Sequence, residues 1–283
     1  MSDFRYQKGE RKIIVVTKQM HRVKSRIFAV HRGSSLVVCY GRARLGKTTT
    51  AKWIAEETNR HYNPDNGDAF RVVHYQVGAL FHWSGNKQKL GIKSLYQATI
   101  GRLDEDLCRQ LPPEELARQT VLGLKRNAIQ MVLVDGAGCL PLEAIQGMVL
   151  VGDTAELMHW TLTLVFIGED DLPIKMAALP QVHGRIREWI HFRPYKLDET
   201  WELLRELHPH FKAFDGSKTE HRKQVEFIHK HCGGMPGEIV PFVRKVVHRL
   251  NENNGKVDLA LLRAVHLLNI WDRKWAFEDS KSK

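Results

Sequence analysis

One octapeptide limits what this chain can become. Gly41-Arg-Ala-Arg-Leu-Gly-Lys-Thr48 follows the apolar run Leu36-Val-Val-Cys-Tyr40 and opens a helix expected from Lys47 to about Asn59. The segment fits G-x-x-x-x-G-K-[ST], a loop whose backbone N–H groups close around phosphates while a lysine reaches the β- and γ-phosphates and a hydroxyl holds Mg²⁺. The strand before it and the helix after it supply the context that a bare string match lacks. A helix starting at such a loop also points its N–H groups and positive dipole end at the ligand. The expected cofactors are therefore ATP and Mg²⁺. Gly41, Arg42, Ala43, Arg44, Leu45, Gly46, Lys47, Thr48 and Thr49 would line the nucleotide, with Lys47 on the phosphates and Thr48 on the metal.

Further along, the pattern alternates strand and helix up to Pro194. Met20, Val23, Ile27 and Val30 recur at three- and four-residue steps, which suits an amphipathic helix packed on the core. Phe70–Val77 reads as a second strand, and Ile129–Asp135 and Leu162–Gly168 are nearly all-apolar runs of the kind buried on both faces of a parallel sheet. A short strand is expected around Trp189–Phe192. Ser84–Lys93 is polar and contains glycine, so it is expected to be a loop leading into a helix from about Lys93 to Leu103. Pro112-Pro113 starts another helix, and a further one covers about Leu142 to Met158. After Pro194 only helical patterns remain. The expected fold class is α/β, a doubly wound parallel sheet followed by a small all-helical lid. The expected organisation is a basic amino-terminal arm and helix over 1–32, the α/β domain over 33–194, the lid over 195–270 and a tail over 271–283.

Composition narrows the class of protein. No apolar run approaches the roughly 18–20 residues needed to cross a bilayer, and Lys8, Arg11 and Lys12 precede only Ile13-Ile-Val-Val16 where a secretory signal would carry its apolar core. A cytoplasmic, bacterial protein with no membrane partner is expected. Cys39, Cys108, Cys139 and Cys232 are scattered, which fits reduced thiols better than a disulfide frame, and His229-Lys-His231-Cys232 has no second half elsewhere to complete a metal site. The net charge is +11, and residues 1–32 hold nine lysines and arginines against Asp3 and Glu10. A polyanionic partner is consistent with that excess. The amino-terminal arm suits contact with phosphates and suits a solvated helix face equally well.

The magnesium shell of a phosphate-loop enzyme needs an acidic residue at the end of a buried strand beside the loop strand, and Asp135 meets that requirement. In many such ATPases a glutamate follows and handles the attacking water; here the next residue is Gly136. Either hydrolysis is slow and ATP acts mainly as a switch ligand, or another carboxylate moves in. Glu169 and Asp170, at the end of the Leu162–Gly168 strand, are the nearest by sequence, with a surface acidic turn as the competing reading. Arg185 and then Arg187, just before the last strand, are the candidates for an arginine that reaches a neighbouring subunit's γ-phosphate; ordinary surface arginines are the alternative. The proposed catalytic set is thus Lys47, Asp135, Glu169, Arg185 and Arg187.

Together these pieces resemble an AAA+ ATPase, and the basic amino-terminal helix and Cys232-Gly-Gly-Met-Pro-Gly-Glu-Ile239 make the chain most similar to the transposition-regulator branch, the TnsC/TniB/MuB group. That resemblance implies a protein that binds ATP and assembles as a homo-oligomer, ring or helical filament, around duplex DNA. It also implies a transposase as partner, with a target-selector protein of the TniQ type. By the same resemblance DNA is tracked by the segment after the second strand, which here supplies Lys87, Lys89, Lys93 and Arg102; lysines on phosphates give affinity without base readout. Phe81 and Trp83 are expected in the core or an interface. The lid arginine common in AAA+ proteins is missing from Gly233–Glu238, which leaves nucleotide sensing to other contacts such as Arg244. Two other roles stay open: a motor or loader ATPase in replication or repair, and a protein-binding switch ATPase that does not act on DNA.

Overall fold

A computed structural model of the chain describes residues 14–31, 35–66, 69–77, 87–101, 110–250 and 255–268. The first helix, α1 (Lys18–Ala29), starts at Thr17, whose hydroxyl accepts from the Met20 N–H, and it buries Met20, Val23 and Ile27. Then come β1 (Ser35–Tyr40), α2 (Lys47–Arg60), β2 (Arg71–Gln76), α3 (Lys87–Thr99), α4 (Pro113–Arg126) and β3 (Ile129–Asp135). A 3-10 turn at Ala137–Cys139 leads to α5 (Leu142–Leu157), β4 (Thr163–Ile167), the short α6 (Leu172–Ala177) and α7 (Pro180–His183), and β5 (Ile186–His191).

The five strands form one parallel sheet in the order β2-β3-β4-β1-β5. Alternation along β1 and β3 explains why the middles of both strands are apolar. Leu36 and Val38 of β1 and Val132 and Val134 of β3 face the layer of α3, α4 and α5. Val37 and Cys39, with Met131 and Leu133, face α1 and α2. Both faces are covered, so the polar residues of these two strands, Ser35, Gln130 and Asp135, fall at or next to the strand ends.

α3 begins at Lys87, earlier than the expected start near Lys93. The glycine that suggested a loop is a packing residue: a Cβ at Gly91 would lie 1.9 Å from the Ala144 carbonyl oxygen. The close approach of α3 to α5 therefore requires glycine within the helix. β5 likewise starts at Ile186, before the expected Trp189.

The helical portion comprises α8 (Leu197–Leu207), α9 (Pro209–Lys212), α10 (Thr219–Cys232), α11 (Pro236–His248) and α12 at 259–268. It has its own core, centred on Leu204, Phe211, Ile228, Ile239, Val246 and Leu262. The segment entering α1 spans both cores, because Ile14 packs against the sheet side and Val15 against the helical side. At this junction Thr17 and Tyr195 hydroxyls lie 2.8 Å apart, and the Tyr195 N–H donates to the Gly234 carbonyl at 2.8 Å. Among the described residues no helix is long and apolar enough to cross a membrane.

Candidate nucleotide site

The phosphate loop leaves β1 at Tyr40 and turns sharply. Gly41 has φ +150°, and a Cβ there would lie 2.5 Å from the Phe192 carbonyl oxygen, so the loop is pressed against the chain leaving β5. Arg44 at φ +66° and Gly46 at φ +84° put two residues in the left-handed region. Alternating handedness of this kind gathers successive N–H groups into an anion-binding concavity. α2 then starts at Gly46 with no side-chain cap on its first amides, which leaves its N-terminal donors and its dipole for a ligand. Leu45 is buried and anchors the loop from below.

The Lys47 ammonium is folded back onto the loop, donating to the Gly41 carbonyl at 2.5 Å and the Arg42 carbonyl at 2.6 Å. Burial lowers its pKa, and the nearby carboxylates of Glu169, Asp135 and Asp170 act in the opposite sense. Those three acids are thus close enough to act on its charge. Glu169 and Asp170 are exposed, and Asp170 lies 3.8 Å from Arg42 and 3.9 Å from His191.

Asp135 ends β3, level with Ile167 of β4, which is level with Cys39 of β1. The expectation that the Asp135 strand lies directly beside the loop strand needs correction, since β4 separates them. The gap is bridged from above. α2 lies across β2 and β3, and this brings Thr48 near enough to Asp135 to help lower its pKa. His74 of β2 completes the group, with Nε2 3.4 Å from an Asp135 carboxylate oxygen. Burial raises the Asp135 pKa, but His74, Thr48 and the Gly136 N–H outweigh it and leave the carboxyl below its ordinary value. An inward-facing ammonium, a hydroxyl and an ionised carboxylate within one loop's reach are the donor set that a triphosphate and a divalent cation require, so the residues present fit ATP and Mg²⁺.

No protein-family model matches the chain, and no curated protein matches it in sequence. Solved structures do match it in shape. Cdc6p of Pyrobaculum aerophilum superposes with a TM-score of 0.60 at 17% identity, covering 84% of this chain and 62% of that one. The ORC2 protein of Aeropyrum pernix, solved as ADPNP–ADP complexes, gives 0.59 at 15% identity over 87% and 65%. ORC1 of the same organism, solved in complex with DNA, gives 0.57 at 15% over 90% and 66%. The chain has the AAA+ fold. It spans less than two thirds of the length of these three structures.

Within the AAA+ fold the other expected residues separate into groups. Arg185 is ion-paired with Asp153 of α5, which raises its pKa. Arg187 is exposed on β5, at one edge of the sheet. Lys93 is 5% exposed in α3, which corrects the expectation that it faces duplex DNA: the helix turns that position into the packed layer. Lys87 and Lys89 fall in the first turn of α3, while Arg102, Phe81 and Trp83 lie outside the described residues, as do residues 1–13 of the basic arm.

Within α1 the cations work as internal straps. Lys18 pairs with Glu202 of α8, Lys24 with Glu57 of α2, and Arg26 with Glu188 of β5. The helix face that could have met phosphates is therefore largely committed to its own chain. Arg244 is exposed on α11, two turns or about 12 Å along the axis from Pro236; Pro236, Gly237 and Glu238, in the first turn of that helix, meet the phosphate loop. Glu238 and His74 were not singled out from sequence. For His74 a signal existed, because its place on β2 alternates onto the same face as Leu133 and Asp135.

Proposed function

We propose that this chain is an ATP-binding, sequence-tolerant duplex-DNA-binding regulator of DNA transposition. In this reading it oligomerises as a ring or filament on DNA and links a TniQ-type target selector to the transposase. The observation that carries the nucleotide part is the convergence of Lys47, Thr48 and Asp135 under a left-handed loop. Bound ATP supplies a charge that the loop amides and Lys47 hold, and Thr48 with Asp135 would hold the magnesium. Lys47 would exchange its two carbonyl partners for phosphate oxygens. The DNA part is supported by likeness in fold to a protein solved in complex with DNA and by the +11 net charge. The transposition part is supported by the resemblance of the amino-terminal helix and the Cys232–Ile239 turn to the TnsC/TniB/MuB group. On this reading the helical portion is the lid, Arg185 is released from Asp153 to complete a neighbour's site, and Lys87, Lys89 and Arg102 meet the duplex backbone.

The test is Lys47→Ala with electron microscopy on duplex DNA and a non-hydrolysable ATP analogue. Loss of nucleotide-dependent assembly is expected. Normal ATP-dependent filaments from that variant would remove the mechanism.

One observation favours a second reading, a motor or loader that turns ATP over rapidly in replication or repair. Glu169 and Asp170 follow β4 two and three residues past Ile167, which is level with Asp135, so a carboxylate is at hand despite Gly136. Phosphate release measured with and without DNA separates the two, with slow turnover expected for the regulator.

A further inference from the structure

α11 starts directly on the phosphate loop. The Gly237 N–H donates to the Arg44 carbonyl at 2.9 Å, and the Arg44 guanidinium is ion-paired with the Glu238 carboxylate, whose side chain is 18% exposed. Pro236 lies over Gly46, with its ring carbon 3.7 Å from where a Cβ would stand. The contact is too close for any side chain at position 237: a Cβ there would lie 2.8 Å from the Arg44 carbonyl oxygen, 2.9 Å from its Cβ and 3.0 Å from its Cα. The Gly233–Glu238 turn therefore touches the loop backbone through a glycine.

Arg44 is also one of three non-glycine residues with positive φ among those described, at +66°. A left-handed backbone is costly for a residue with a Cβ, and it persists where surrounding contacts over-determine it. Here the loop residue is gripped twice from the helical portion, once at its carbonyl and once at its guanidinium. With its carbonyl drawn toward Gly237, the left-handed turn that lines up the loop's N–H groups is held in place.

We propose that Arg44 and Glu238 are positioning residues that register the lid on the phosphate loop and hold it in its anion-binding shape. Nucleotide affinity and lid seating are then a single coupled equilibrium, and each strengthens the other by the same factor. The inference rests on the nucleotide reading above and adds to it a route from the loop to the lid that uses no lid arginine. Glu238 also occupies the first turn of α11, where its charge favours the helix start. The helix dipole thus holds the carboxylate in the place where Arg44 meets it.

The test uses the full chain in four forms besides wild type: Arg44→Ala, Glu238→Gln, the double variant and the conservative Arg44→Lys. A fluorescent ATP analogue reports affinity, and hydrogen exchange at the Gly237 amide reports the latch without any nucleotide. Each of the first two substitutions is expected to weaken binding by about fivefold or more, and the double to be no weaker than the poorer single. Arg44→Lys should keep most of the affinity. Gly237 exchange should speed up in Glu238→Gln, while thermal melting of the whole chain stays close to wild type. Unchanged affinity and unchanged Gly237 exchange in Glu238→Gln, or additive losses in the double, would overturn the latch while leaving nucleotide binding intact. A wild-type chain that binds no nucleotide would overturn the nucleotide reading and the coupling with it.

Discussion

The imidazole of His74 stands 3.4 Å from the carboxylate of Asp135, on the strand beside it. The two residues are 61 positions apart in sequence and meet only because β2 pairs with β3. His74 therefore orients the group that would hold magnesium. Partners of this kind are commonly worth about tenfold or more in metal affinity. His74→Val is expected to weaken ATP binding about tenfold in the presence of magnesium and to leave magnesium-free binding unchanged, as read by paired titrations.

Gly41 tolerates no side chain. A Cβ there would meet the Phe192 carbonyl oxygen at 2.5 Å and the Phe192 Cβ at 3.0 Å, and both belong to a rigid strand exit. Gly41→Ala should cost about 1–3 kcal/mol of stability through overpacking and should lower nucleotide affinity by displacing the loop. Chemical denaturation reads the first effect and nucleotide titration the second.

Arg185 is held by Asp153 in the single chain. Both side chains are partly exposed, at 47% and 35%, so the pair contributes little, about 0–1 kcal/mol. Arg185→Ala should leave melting and the monomer's nucleotide affinity nearly unchanged while reducing nucleotide-dependent assembly. Asp153→Asn should leave assembly intact or favour it. Sedimentation with the ATP analogue distinguishes these outcomes.

His31 carries an acid-sensitive part of the fold. Its Nδ1 lies 2.9 Å from the Thr163 hydroxyl, which in turn lies 3.2 Å from Ser35, and the ring packs on Phe70 with centroids 4.1 Å apart. Burial lowers its pKa from the ordinary 6.5, with Gln130 opposing. On acidification the unfolded chain takes up this proton first, so the stability contribution is complete above 6.5 and is lost as pH falls through the lowered folded value. The melting temperature should drop as pH is taken below 6.5, and His31→Gln should flatten that slope.

Much of the sheet domain is legible from local pattern. Leu36–Tyr40, the phosphate loop and the Lys47 helix follow from an octapeptide in its context, and the apolar runs ending at Asp135 and Gly168 locate β3 and β4 closely because both faces of each strand are buried. Local pattern misleads where a residue serves a distant partner. Gly91 looks like a loop glycine, and its reason lies at Ala144. Lys93 looks like a surface cation, and the packing of its helix encloses it. The cations of α1 look like a phosphate-binding face, yet Glu57, Glu188 and Glu202 take them up from three other elements.

The sequence by itself determined that this chain builds a phosphate loop between a buried strand and a helix, because the backbone shape that grips phosphate is encoded in eight adjacent residues. Only the tertiary structure decided what surrounds that loop: β4 inserted between β1 and β3, His74 beside Asp135, and the start of α11 on Arg44. Those relationships depend on strand order and on how two cores pack together. Periodicity within one segment carries no information about either.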